Sequence, residues 1–225
     1  MRHATIAFLV AALLVAAPSA SALAAPTNPA AGEHLKIDPA HTALLVMDMQ
    51  QGIVPALGTG AEPLLTHIAD AEQAARKAHV LVGFVRTAFE PGYPEVSPNN
   101  KTFSSVIGTG KMLEGSPEAR IDPRIAPVGD EPVITKHRVG AFTSTSLDQM
   151  LRARNIDTIV LTGVATSGVV LSTLRVAADL DYRAIVLSDC VADSDAQVNQ
   201  VLLDKVFPTQ ADVINSATFS QSLNS

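Results

Sequence analysis

Residues 42–47, 80–87, 158–162 and 183–188 are short apolar stretches with β-branched members and no clean alternation of polar and apolar positions. That pattern predicts strands buried on both faces, as in the interior of a parallel sheet. Residues 132–136 (PVITK) predict a shorter fifth strand and residues 211–215 (ADVIN) an edge strand. Between these runs the apolar positions switch to a helical period. Leu64, Leu65, Ile68, Ala71 and Ala75 fall on one face of a helix over residues 62–78. A Ser/Thr run suited to N-capping precedes a helix over 146–154. Further helices are expected over 167–180 and 195–207, the last ended with help from Pro208.

Strands alternating with helices imply one α/β domain, a mostly parallel sheet with helices on both faces. Residues 89–129 break the rhythm. Rich in Pro, Gly, Ser and Asn, they predict an irregular insertion of the lid or binding-loop kind. In open α/β sheets ligands bind beyond the carboxyl ends of the strands, near the point where strand order reverses. The positions just past those ends are Asp48, Arg86 and Thr87, Lys136, residues 163–166, and Asp189.

The start of the chain reads differently. Arg2 and His3 precede an apolar run over residues 6–17, and small residues follow it directly. The run is shorter than the roughly 20 residues needed to span a bilayer. Residues 1–24 are therefore expected to be a cleaved secretory signal, 25–36 a disordered leader, and 37–225 the folded domain. Export to the periplasm or beyond follows as an expectation, with no stable membrane association after cleavage. Sixteen Lys and Arg stand against 22 Asp and Glu. This acidic balance argues against a nucleic-acid partner, which would require clustered basic residues. Cys190 is the only cysteine, so neither an intramolecular disulfide nor a zinc site built on several cysteines can form.

Candidate chemistry concentrates at the strand ends. Asp48 follows the apolar run of residues 43–47, so its carboxylate is shielded and is either paired or poised for proton transfer. Lys136 ends another strand and could supply the pairing charge. The Gly163-Val164-Ala165-Thr166-Ser167-Gly168 turn is built of small residues that allow backbone N–H groups to face a ligand or an oxyanion. It matches neither the phosphate-binding Gly-Lys-Ser/Thr loop nor the G-x-G-x-x-G dinucleotide loop, so no nucleotide cofactor is expected. Gln50, Arg86, Phe89, Tyr93, Phe142 and Thr166 are candidates to line a substrate pocket, and Arg86 could hold an acidic substrate. Asp189 and Asp193 are expected to cap the helix that follows them. Cys190 reads as a small core residue.

Three segments, Leu45-Val46-Met47-Asp48-Met49-Gln50, Thr135-Lys136-His137-Arg138-Val139-Gly140-Ala141-Phe142 and Leu161-Thr162-Gly163-Val164-Ala165-Thr166, resemble in order and spacing the isochorismatase-like (cysteine hydrolase) family over roughly residues 37–215. The resemblance implies a three-layer α/β/α fold with a six-stranded, mainly parallel sheet, a homo-oligomer and a small-molecule substrate. It also implies an Asp, Lys, Cys triad and a cis peptide before Ala165. Asp48 and Lys136 match the first two members; the cysteine position is Val169, which has no nucleophile. Metal-binding members carry an Asp and two His near the second strand. This chain has no histidine between His79 and His137, so no metal is expected. The isochorismatase branch splits a vinyl ether with its Asp as general acid and without the thiol. The expectation is a hydrolase that uses Asp48 and Lys136 in acid–base chemistry, with the backbone at Ala165 and Val169 holding an anion. The alternative is a non-catalytic small-molecule binding protein that kept the pocket.

Overall fold

The structure is a computed structural model and describes residues 35–224. The expected signal (1–24) and all but the last two residues of the expected leader (25–36) lie outside the described residues. The elements run β1 (Thr42–Met47), α1 (Ala61–Lys77), β2 (Leu81–Thr87), β3 (Val133–Lys136), α2 (Leu147–Ala153), β4 (Thr158–Val164), α3 (Leu171–Asp179), β5 (Arg183–Ala192), α4 (Ala196–Val201), β6 (Asp212–Ile214) and α5 (Ser216–Ser222). All strands pair in parallel, in the order β3-β2-β1-β4-β5-β6.

The unbroken apolar run of β1 is explained by what lies on each side of it. Leu44 and Val46 enter one core with Leu64, Leu65, Ile68, Ala71 and Ala75 of α1 and Phe219 of α5. Ala43, Leu45 and Met47 enter the other with Leu147 and Leu151 of α2 and Leu174 and Ala177 of α3. Side chains alternate across a strand, so covering both faces leaves no polar position to alternate with.

Four expected elements change at their boundaries. β4 and β5 run on to Val164 and Ala192, because pairing resumes at Gly163↔Val191 after a register shift. The helix expected over 167–180 opens as a single π-helical turn (Thr166–Val170) before α3 begins. The helix expected over 195–207 stops at Val201 and continues as a π-helical turn and then a 3₁₀ turn containing Pro208, which has no N–H to extend the ladder. α5 is an element the hydrophobic pattern does not announce; its signal is the N-cap Asn215, whose side chain accepts from Thr218 N–H at 2.8 Å.

The insertion over 89–129 is anchored. Phe89 N–H donates to Met112 O (2.9 Å) and Glu114 N–H to Phe89 O (2.8 Å). Further along, Gly52 N–H donates to Glu118 O (3.0 Å) and Asp122 N–H to Met49 O (2.9 Å). Phe89, Tyr93 and Val96 form a separate small core, against which Phe103, Val106, Met112 and Leu113 pack.

Candidate active site

Strand order reverses between β1 and β4, whose carboxyl ends lie side by side. Asp48 is the first residue past β1. It sits in the left-handed region at φ +57°, and its N–H is fixed by a 2.8 Å bond to Val85 O. Lys136 is the last residue of β3, two strands away, with Thr87 of β2 as its register partner between them.

The three side chains interlock. Lys136 Nζ lies 2.8 Å from Asp48 Oδ2 and donates to Thr87 Oγ1 (2.7 Å) and to Arg138 O (3.0 Å). Three acceptors use all three ammonium donors. Thr87 Oγ1 in turn donates to Asp48 Oδ1 over a long 3.4 Å. Lys136 is 1% exposed and Asp48 7%. Burial pushes the Asp48 carboxyl above its ordinary value, against the opposing pull of Lys136 and Thr87. Asp48 is therefore a carboxyl group that holds a proton more readily than usual, with Oδ1 the less firmly engaged oxygen.

β4 contributes backbone. Gly163 has φ +116°, and a Cβ there would stand 1.9 Å from Met47 O, so the two strand ends approach closely only because the residue is glycine. The Val164–Ala165 peptide is cis, as the family resemblance implies. Val169 follows within the π-helical turn and is 2% exposed. The turn is held from behind: Asp193 Oδ2 accepts Ser167 N–H at 2.7 Å, and Thr166 Oγ1 donates to Asn199 Oδ1 at 2.6 Å. Partial burial acts to raise the Asp193 carboxyl, but its hydrogen bonds outweigh that and keep it below the ordinary range.

These groups bound a cavity of about 340 Å³. Asp48, Thr87 and Lys136 form its polar side, and Ala165, Gly168 and Val169 come from the β4 turn. Phe89, Phe103, Val106 and Met112 come from the insertion, with Ile53 and Val139 beside them. Such a volume and lining suit a small molecule.

Asp48, Lys136, Ala165, Val169 and Phe89 therefore meet. The remaining pocket candidates do not line the cavity, because their polar ends are engaged elsewhere or their rings belong to other cores. Gln50 is fully buried; its Nε2 donates to Thr87 O (2.8 Å) and Ala119 O (2.9 Å), while its Oε1 accepts Thr87 N–H (2.8 Å). It braces the ends of β1 and β2 against the insertion. Arg86 is ion-paired with Glu114, which removes it as an anchor for an acidic substrate. Tyr93 donates its hydroxyl proton to Lys111 O (2.8 Å) and supports Phe89, with ring centres 5.8 Å apart. Phe142 stacks on Tyr182 at 5.7 Å in the core beneath α2 and α3. Thr166 is buried against Asn199.

The capping expectation also changes. Asp195 caps α4, Asp189 accepts the N–H and hydroxyl of Ser216 at the start of α5, and Asp193 serves the β4 turn. Cys190 is buried in the core under α1, and burial followed by the nearby Asp189 charge pushes its thiol well up. Among the described residues, no group of three or more His, Cys, Asp or Glu side chains could hold a metal ion. Sequence reasoning missed Phe103, Val106 and Met112, which lie in an irregular segment without periodicity, and missed the bridging role of Thr87.

A buried carboxyl–ammonium pair beside an apolar cavity, at the switch point of a parallel sheet, defines a small-molecule α/β enzyme site. Residues 42–218 match the isochorismatase domain, and the chain belongs to the isochorismatase family of hydrolases. It is 35% identical over 175 residues to an uncharacterized isochorismatase family protein of Bacillus subtilis, covering 77% of this chain and 89% of that one. It is 32% identical over 182 residues to the ureidoacrylate amidohydrolase of Methylobacterium radiotolerans, covering 72% of this chain and 70% of the other. An isochorismatase family protein of Burkholderia thailandensis superimposes with a TM-score of 0.73 at 30% identity, covering 84% of this chain and 98% of that chain.

Proposed function

We propose that the protein hydrolyses a small molecule by acid–base chemistry centred on Asp48, without a covalent cysteine intermediate. The observation that carries this reading is the wall of the cavity. It holds one carboxyl group with raised proton affinity, a lysine saturated around it, and the aliphatic side chain of Val169, which we read as occupying the family's cysteine position. Cys190, the only cysteine, is not among the residues lining the cavity and is buried in the core under α1.

On this reading Asp48 moves the proton. As a general acid it transfers its proton to the departing atom of the substrate while water adds to the electrophilic carbon. The proton released by that water then restores the carboxyl group, so no bond to the protein forms. Lys136 fixes the carboxyl group and balances the charge it acquires when the proton leaves. Oxygen charge developing on the substrate falls to the backbone amides at Ala165 and Val169. The named amidohydrolase among the relatives favours a C–N bond as the target. In a vinyl ether, the other bond that suits an acid at this place, the proton goes instead to the terminal vinyl carbon. Water adds to the oxygen-bearing carbon and returns a proton to the carboxylate, and the hemiketal collapses to a carbonyl compound and an alcohol. We further propose that the chain is exported through residues 1–24 and that it works as a homo-oligomer.

The test is turnover of amides, N-carbamoyl compounds, esters and vinyl ethers by wild type and Asp48→Asn. The expected result is turnover of one class, falling by about 10²–10⁴ in the variant. If both proteins are equally inert while a small ligand still raises the melting temperature, the non-catalytic binding reading replaces this one.

A further inference from the structure

We infer that the site selects an uncharged substrate whose non-reacting part is apolar, an inference that rests on the reading of Asp48 as the reacting carboxyl group. Three observations converge on it. First, Lys136 is the only cation lining the cavity among the described residues, and all three of its donors are engaged. The nearest alternatives along the chain, Arg86, paired with Glu114, and Arg138, whose Nη1 donates to Glu95 O (3.0 Å) and His137 O (2.6 Å), do not line the cavity.

Second, the insertion's share of the lining is apolar apart from Thr102 and is held in place. Phe89, Phe103, Val106 and Met112 form the apolar part, with Phe89 and Phe103 edge to face at 5.5 Å and 65°. Tyr93, anchored through its hydroxyl, braces Phe89 from outside. Third, the helix start at the β4 turn, which would otherwise attract an anion, already has one behind it. Asp193 accepts Ser167 N–H at 2.7 Å, and its hydrogen bonds keep the group ionised. A substrate carboxylate entering the cavity would lose its water without gaining a free cation and would face Asp48, while the Ser167 N–H of the turn is already taken by Asp193 from behind. An apolar ring or chain would instead meet surface that favours it.

The test uses a matched pair of ketones that carry a carbonyl group but cannot be hydrolysed, acetophenone and 4-acetylbenzoate. Binding is measured by ligand-detected NMR titration. Wild type is expected to bind acetophenone at least roughly 30-fold more tightly, since the benzoate must bury an unpaired charge. In Val106→Arg, which adds a cation to the half-buried wall, the benzoate should gain at least about tenfold. Equal or tighter binding of the benzoate by wild type overturns the inference, as does failure of acetophenone to bind. A Val106→Arg variant that gains nothing for the benzoate overturns the missing cation as the cause. Neither ketone turns over, so these results stand apart from those of the hydrolase test.

Discussion

The two halves of the sheet meet at one cavity but bring different things to it. β1, β2 and β3 end in side-chain charge: Asp48, Thr87 and Lys136 form a closed, buried set whose members satisfy one another. β4 and β5 end in backbone: Gly163 at a close approach, a cis peptide, a π-helical turn bearing Val169, and Asp193 behind it. On the function proposed above, proton chemistry belongs to the first half and shape to the second. The position we read as the family's cysteine falls in the second half and holds Val169, while Cys190 of β5 does not line the cavity, so the charged set of the first half stands without a thiol beside it.

The largest expected effect falls on the backbone half. Gly163→Ala would drive a Cβ into Met47 O, which neither strand end can yield, and should cost more than about 4 kcal/mol, read as loss of a cooperative melt. Next is the charged half. Lys136→Met leaves Asp48 buried without its cation and should cost about 3–5 kcal/mol near neutral pH, measured by urea unfolding. The sign of its pH dependence follows from Asp48. A carboxyl group raised in the folded state contributes stability that is complete below its unfolded value and lost as pH rises through its folded value. Removing Lys136 raises that folded value further, so the deficit of the variant should shrink as pH falls. A pH-independent deficit would mean the pair is not what holds this half together.

Smaller effects separate the halves more finely. Asp193→Asn keeps an acceptor for Ser167 N–H but loses the charge, and should cost about 1 kcal/mol while slowing turnover more than it changes acetophenone binding. The smallest concerns Glu72 of α1, which Arg76 links to Glu131 in the loop before β3. Burial pushes Glu72 up to about 7 from 4.5, and its Oε1 has no hydrogen-bond partner among the described residues. Its protonated form contributes stability that is complete below 4.5 and lost as pH rises through about 7. Glu72→Gln should therefore match wild type in acid and exceed it by a few degrees in melting temperature above pH 7.

How much was legible follows the same division. The strands were readable because burial on both faces leaves a continuous apolar run, and Asp48 and Lys136 because a charged residue ending such a run is conspicuous. Gln50, Arg86 and Thr166 were misplaced because sequence position fixes which strand end a residue occupies but not which neighbour engages its polar group. The apolar wall was invisible for a related reason. Phe103, Val106 and Met112 lie in an insertion without period, brought together by the Phe89–Met112 backbone pairing and a small core of its own.

Turnover by Cys190→Ala tests the central claim, hydrolysis without a thiol, most directly. Cys190 is the only sulfhydryl in the chain and lies buried in the core under α1, its thiol well above the ordinary range. If the reaction runs through Asp48, kcat/KM should remain within about twofold of wild type, apart from a modest loss of stability from the smaller core residue. A fall of about a hundredfold or more in a variant that still folds and binds acetophenone would contradict it, and would assign the reaction to a cysteine after all.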